Sequence, residues 1–378
     1  MALTGHLFIA VLVLIALTLF VLVLLDLPRA RRRWARRSVR GVEVVALNLV
    51  VVTPCFALLN DQYVFYESWG DLLGSQGRAV GRSYGAQPAA AAAGAVGSRF
   101  AHWSIPARLP DLPSPGARLQ TYSIPGAAPG MFHQVLVYLP AGYHASSPRT
   151  YPVLVGLPGL PSTPENWIHM LGIDSTVDAA VASHHLAAPI LVLPQVNEPP
   201  MFDTECVDSP DPAGPHIDTW LSSDLPRWIV GHFRVTRARS AWAVMGYSYG
   251  GWCAASQLFR HPDLYSSGVV FEGYFHPEFT QAFDPFPRGS PQLAAYDLAR
   301  LAAVHRTRVA LWILAAKGDH NSYSSTERFL AAVRPPTSVT AEILPTGGHR
   351  ISVFLPYVPM AIRWLATNSP GFTSAAPA

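Results

Sequence analysis

The chain has 378 residues, enough for one sizeable globular domain and an accessory region but too few for two large domains. Half of its residues are hydrophobic and 13% are charged, a balance that argues against a wholly water-facing protein. The net charge of +3 arises in residues 1–60, where seven arginines face Asp26 and Glu43; the remainder holds 20 basic against 22 acidic residues and gives no electrostatic case for nucleic acid.

Gly5–Leu25 is 21 residues without a charge, long enough at 1.5 Å per residue to cross a hydrocarbon core of about 30 Å. A secretory signal peptide is the rival reading, but its positive charge would precede a shorter apolar region. Here Arg29, Arg31, Arg32, Arg33, Arg36, Arg37 and Arg40 follow the apolar run. Such a cluster is retained in the cytoplasm, which places the N-terminus outside. A second apolar stretch, Val42–Leu59, carries Glu43, Asn48 and Pro54. It reads as the return helix of a two-helix transmembrane hairpin over residues 1–60, with a buried or surface-lying amphipathic helix as the alternative. The hairpin exports everything after Asn60.

Residues 61–117 read as an extracytoplasmic spacer, Ala- and Gly-rich at Gln87–Gly97 and then punctuated by Pro106, Pro110, Pro113 and Pro115. Tyr63, Phe65, Tyr66 and Trp69 would suit an interfacial aromatic belt. From residue 118 the texture changes. Strands are expected at Leu119–Ile124, Gln134–Leu139, Tyr151–Leu157, Pro189–Pro194, Ala241–Met245, Gly268–Phe271, Val309–Ala315 and Val339–Leu344. Helices are expected at Ile217–Phe233, Gly250–Arg260, Ser324–Val333 and Val353–Thr367. This alternation predicts an α/β domain over 118–370, with a mostly parallel sheet, helices on both faces and a short tail at 371–378. There is no internal repeat.

Gly246-Tyr247-Ser248-Tyr249-Gly250 matches G-x-S-x-G, and the expected strand and helix abut it on either side. A serine on such a sharp turn exposes its Oγ, and small residues two places away let the backbone bend. The serine then needs a base, and the base an orienting carboxylate. His349 follows the last strand in Thr346-Gly347-Gly348-His349, where a loop can carry an imidazole over the elbow. Asp319 closes Lys317-Gly318-Asp319 after the preceding strand and is the expected acid, with Glu272 and Asp297 as rivals. His320 also follows Ser248 but precedes a whole strand. The oxyanion donors are expected to be the backbone N–H groups of Tyr249 and, in Pro158-Gly159-Leu160-Pro161, of Leu160, because Pro161 has none.

Cys55 lies in the second apolar stretch, leaving Cys206 and Cys253 for the domain. In an exported domain a disulfide between them is expected, with two buried thiols as the alternative. His184, His185 and His216 lack ligand-like spacing with acids or cysteines, so no metal site is assigned; no cofactor fingerprint is present either. Trp167, Trp252 and Tyr274 read as packing near the site rather than as a ligand platform.

These residues resemble the putative-esterase (esterase D-like) branch of the α/β-hydrolases, which includes the secreted bacterial mycolyltransferases. The resemblance runs from about residue 118 to 367. It rests on Tyr151-Pro152-Val153-Leu154 leading to Pro158-Gly159, on Gly246–Gly251, on His261-Pro262-Asp263-Leu264-Tyr265 and on Gly348-His349. Pro158-Gly159 stands where the family often has His-Gly, and no Trp follows His349 closely, unlike the mycolyltransferases. The resemblance implies an α/β-hydrolase fold and acyl transfer through an acyl-serine. The expected function is therefore a membrane-anchored serine esterase acting on acyl esters of the cell envelope, lipid or glycolipid in nature. The alternatives are an acyltransferase that moves the acyl chain to a sugar or lipid alcohol, a non-catalytic envelope binding protein, and a cytosolic enzyme if Val42–Leu59 does not span.

Overall fold

The computed structural model describes residues 6–24, 33–63, 65–66, 68–74, 77–93, 98–103, 106, 108–128, 130–197, 202–304 and 307–374. The chain forms two compact units: residues 1–78 with 316–319 and 344–353, and residues 79–315 with 320–343 and 354–378.

The first unit begins with helices α1 (His6–Leu24) and α2 (Arg33–Tyr63), which pack together. Large apolar side chains on both are turned outward: Leu14, Leu17, Val44, Leu49 and Val52 are each more than half exposed. Among the described residues, one window, Val44–Asp61 in α2, is long and apolar enough to cross a membrane; the apolar stretch Leu7–Val21 in α1 is shorter. Of the two-helix transmembrane hairpin expected from Gly5–Leu25 and Val42–Leu59, the described residues hold one helix that qualifies. Gly5, Leu25, Arg29, Arg31 and Arg32 lie outside the described residues. Asn60, in the last turn of α2, clasps Tyr66: its amide donates to the Tyr66 carbonyl at 2.9 Å and accepts from the Tyr66 N–H at 2.7 Å. A short turn, α3 (Trp69–Leu72), follows, capped by Ser68 Oγ accepting from Asp71 N–H at 3.2 Å.

Among the described residues the second unit is built on nine strands: β1 (Val80–Gly85), β2 (Leu119–Pro125), β3 (Phe132–Tyr138), β4 (Val153–Leu157), β5 (Ile190–Pro194), β6 (Trp242–Tyr247), β7 (Ser267–Phe271), β8 (Ala310–Ala316) and β9 (Ser338–Leu344). Their order is β1-β9-β8-β7-β6-β4-β5-β3-β2. The stretch β5-β4-β6-β7-β8 is parallel throughout. Every residue of these five strands is buried, which is why they read as unbroken apolar runs: a parallel sheet is covered on both faces. The cover comes from α4 (Ile173–Ala182), α5 (Leu225–His232), α6 (Tyr249–Arg260), α7 (His320–Ala332) and α8 (Val358–Asn368). Helix α6 lies on β6 and β7, while α8 packs with α4.

The segment expected as a spacer carries structure of its own. Strand β1 pairs antiparallel with β9, from Val80 opposite Ile343 to Gly85 opposite Ser338. Ala91 and Ala92 are buried beside Ala310. Arg99 binds Asp263 at 2.9 Å and the Ser222 carbonyl at 2.8 Å, and the buried Phe100 ring lies 4.7 Å from that of Trp242. The weak apolar periodicity of 61–117 reflects short pieces that pair at a sheet edge or add single side chains to a core built elsewhere.

Candidate active site

Strand β6 ends at Tyr247 and α6 begins at Tyr249, which leaves Ser248 alone on the turn with φ 55° and ψ −128°. A non-glycine residue held there costs about 1–3 kcal/mol and persists only when its surroundings enforce it. They do: the Ser248 N–H donates to the Phe271 carbonyl at 2.9 Å, and its carbonyl accepts from Trp252 N–H at 3.1 Å. A Cβ at Gly246 would lie 1.9 Å from the Gly250 oxygen, and one at Gly250 would lie 2.1 Å from the Leu157 oxygen. Backbone crowding therefore dictates both glycines of the motif. The loop after β4 runs against the same turn, since a Cβ at Gly159 would come within 3.3 Å of Ser248 Cβ. Leu160 is the next residue of that loop. Tyr249 heads α6, and its N–H is among the helix-start donors that have no acceptor within the helix.

In the other unit, Asp319 comes three residues after β8 and His349 five after β9. The Asp319 N–H closes its turn on the Ala316 carbonyl at 3.1 Å. Gly347 has φ 128°, a conformation that suits glycine and lets the loop turn ahead of His349. His349 Nδ1 meets Asp319 Oδ2 at 2.7 Å; the carboxylate is buried and the imidazole side chain is one-third exposed. A carboxylate on Nδ1 fixes the tautomer and orientation in which Nε2 accepts a proton.

The domain holds a second Asp–His pair, Asp218 Oδ1 with His261 Nε2 at 2.9 Å. Arg260 also binds that carboxylate at 2.9 Å, and Gln257 donates to it at 2.7 Å. His261 follows the last residue of α6, so the helix's 12 residues set it about 18 Å from the Ser248 turn. It belongs to a structural network. Asp297 is engaged by Arg300 N–H at 3.1 Å and Arg328 at 3.5 Å, at the start of helix Leu298–Val304. Glu272 is buried one residue beyond β7, where its carbonyl accepts from Ser322 Oγ at 2.8 Å. His320 is exposed and starts α7.

Cys206 and Cys253 are joined in a disulfide, with Cα atoms 5.6 Å apart. The bridge ties the loop after β5 to the first turns of α6. Glu205, beside it, was not singled out by sequence reasoning, since an isolated acid ahead of a cysteine carries no pattern. Its carboxyl is buried, accepts from Tyr274 OH at 2.8 Å, and its backbone carbonyl accepts from Trp252 Nε1 at 2.8 Å. Trp167 and Trp252 are fully buried and Tyr274 nearly so; all three pack.

Burial, reinforced by the nearby Asp203, pushes the Glu205 carboxyl well above the ordinary carboxylate range. The folded chain then holds this proton more tightly than the unfolded chain does. Stability conferred by the group is complete below the unfolded value near 4.3 and declines as pH rises toward the folded value. Glu205→Gln keeps an acceptor for Tyr274 and cannot ionise. It should raise the melting temperature at pH 7 by a few degrees, with the gain vanishing below about pH 4 in a calorimetric pH series.

Comparison with known proteins bears on the same stretch. A family model described as putative esterase matches residues 127–344, more than half of the chain, including Ser248 and Asp319. An uncharacterized protein of Corynebacterium glutamicum is 34% identical over 140 residues, 37% of this chain and 32% of that protein, so the match spans about a third of that relative's length. Among solved structures, an S-formylglutathione hydrolase from Agrobacterium tumefaciens superposes with a TM-score of 0.55 at 16% identity, over 66% of this chain and 95% of that one. A ferulic acid esterase gives 0.53 at 17% identity, over 66% and 97%. A fluorophosphonate-binding serine hydrolase of Staphylococcus aureus gives 0.51 at 15% identity, over 66% and 99%. At these identities the structural likeness establishes the fold, that of the α/β-hydrolases.

Proposed function

Because the chain belongs to the putative-esterase family, we propose that it is a membrane-anchored serine esterase that acts on acyl esters of the cell envelope through an acyl-Ser248 intermediate. The observation that carries this reading is the Ser248 turn, a nucleophile position held at positive φ between β6 and α6. The chain order Ser248, Asp319, His349 is that of the α/β-hydrolases, and Asp319 and His349 are paired at 2.7 Å. That arrangement supports a triad of Ser248, His349 and Asp319.

In the first half-reaction Ser248 Oγ attacks the acyl carbonyl while His349 Nε2 takes its proton. The N–H groups of Leu160 and Tyr249 receive the developing oxyanion. Each such donor contributes about 3–4 kcal/mol in the transition state. Collapse breaks the ester C–O bond, and the imidazolium returns its proton to the departing alcohol. Water, deprotonated by the same imidazole, then attacks the acyl-serine and releases the acid. A sugar or lipid alcohol in place of water would make the same site an acyltransferase, so the two activities differ only in the acceptor.

The membrane reading is supported by the outward apolar surfaces of α1 and α2, by the arginines between the two apolar stretches and by the disulfide, which suits an oxidising compartment. In this reading residues 1–60 form the hairpin with a cytoplasmic basic loop, and the hydrolase domain faces outward. The proposed partners are a lipid or glycolipid ester as substrate and the bilayer itself.

A membrane-impermeant fluorophosphonate applied to intact cells tests both halves of the reading. Wild-type protein should be labelled before lysis, and Ser248→Ala should not. Labelling that requires lysis would retain the enzyme and remove the outward topology. Folded wild-type protein that is never labelled would remove the enzyme.

A further inference from the structure

Arg350 immediately follows His349, and its side chain is gripped by the segment that leaves α2. The guanidinium forms a two-pronged ion pair with Asp71, Nη1 with Oδ2 at 2.7 Å and Nη2 with Oδ1. Nη1 also donates to the Phe65 carbonyl, and the group lies 4.3 Å from the centre of the Tyr66 ring. Both partners are withdrawn from water: the Asp71 side chain is fully buried and that of Arg350 is 13% exposed. The same segment holds the other end of the histidine loop. Gly77 N–H donates to Thr346 Oγ1 at 3.3 Å, and a Cβ at Gly77 would fall 2.3 Å from the Pro345 ring. His349 is thus bracketed, three residues after one attachment and one residue before the other.

The gripping segment is in turn fixed to the apolar helices. Trp69 of α3 packs edge-on against Phe8 of α1, with ring centres 5.4 Å apart. Asn60 of α2 clasps Tyr66, whose ring also lies 6.2 Å from Phe56. A surface ion pair would contribute little, but a buried, bidentate arginine–carboxylate pair with further hydrogen bonds fixes geometry. Displacing a reacting group by about 1 Å costs on the order of 100-fold in rate.

We propose that Asp71 and Arg350 are a positioning pair through which the anchor segment holds the His349 loop in its working geometry, making turnover dependent on the anchor. This rests on the reading of His349 as the base. The pair touches no reacting atom and acts only by placing the imidazole.

The test uses the full chain in detergent micelles with a p-nitrophenyl acyl ester. Wild type and Ser248→Ala are run beside Asp71→Asn, Arg350→Lys and the reversal Asp71→Arg/Arg350→Asp. Asp71→Asn should lower kcat by about 10- to 100-fold with KM within about twofold, measured well below its melting temperature. Arg350→Lys keeps the charge but loses the planar fork, and should also lower kcat at constant KM. The reversal should regain about tenfold over Asp71→Asn. A pair that merely tethers the anchor would lower the melting temperature and leave kcat alone. Wild-type kcat in Asp71→Asn, or a loss confined to KM, overturns the proposal. Should Asp71→Asn not fold, Arg350→Lys decides alone: full kcat overturns the proposal, a reduced one supports it. Wild-type turnover that survives Ser248→Ala would overturn the functional reading itself, and this inference with it.

Discussion

Ser248→Ala should lower kcat for a short acyl ester by about 10⁶-fold and leave KM within a few-fold. Removing the nucleophile of a serine hydrolase triad eliminates the covalent route, and what remains is a residual rate from binding and the oxyanion donors. The fold should survive the change. Ser248 keeps its place through its backbone N–H to Phe271 and its carbonyl to Trp252, and alanine retains both. The positive φ is as tolerable for alanine as for serine, so the melting temperature should hold within a few degrees. Stopped-flow measurement would show no acyl-enzyme burst. Residual activity above about 1% of wild type, with contaminating esterase excluded by purifying the variant from a second host, would place the nucleophile elsewhere.

Asp319→Asn should lower kcat by about 10⁴-fold, the second largest effect. Asp319 Oδ2 sits 2.7 Å from His349 Nδ1, where a carboxylate accepts the Nδ1 proton and leaves Nε2 as the base. An asparagine can turn its NH₂ toward the ring and so favour the opposite tautomer, with the proton on the nitrogen that must accept one. The comparison variant is Glu272→Gln, a change to the other buried acid that follows a central strand. Its effect on kcat should stay within tenfold. If Glu272→Gln were the more damaging of the two, the orienting role would belong to Glu272. Steady-state kinetics on the two variants at matched fold content decides between them.

The elbow was legible because three independent signals coincide within about twenty residues. Ala241–Met245 is apolar without interruption, Gly250–Arg260 has helical texture, and Gly246 and Gly250 stand two places either side of Ser248 between them. The positions of Asp319 and His349 followed from chain order, as loops after the last two strands. Buried parallel strands announce themselves by composition, so their expected and observed limits differ by one or two residues.

What was hidden depends on long-range partners. Val80-Gly81-Arg82-Ser83-Tyr84-Gly85 has one large aliphatic residue, and its pairing rests on backbone hydrogen bonds at a sheet edge rather than on a buried face. Asp71 and Arg350 are 279 residues apart, and neither is remarkable in its own neighbourhood. The second apolar stretch was legible as a helix, and its window Val44–Asp61, among the described residues, is long and apolar enough to cross a membrane.

The pairing of β1 with β9 also bears on how the chain is made. Gly85 emerges long before its partner Ser338, with 253 residues of synthesis between them. At about 5–20 residues per second that interval is roughly 13–50 s. Throughout it β1 has no edge to join, and once β9 appears, β9 presents an open edge until β1 arrives. Completion of the sheet therefore waits until β9 has been made. A ribosome that stalls before residue 338 leaves a nascent chain with an unfinished sheet, a natural substrate for chaperones and quality-control proteases.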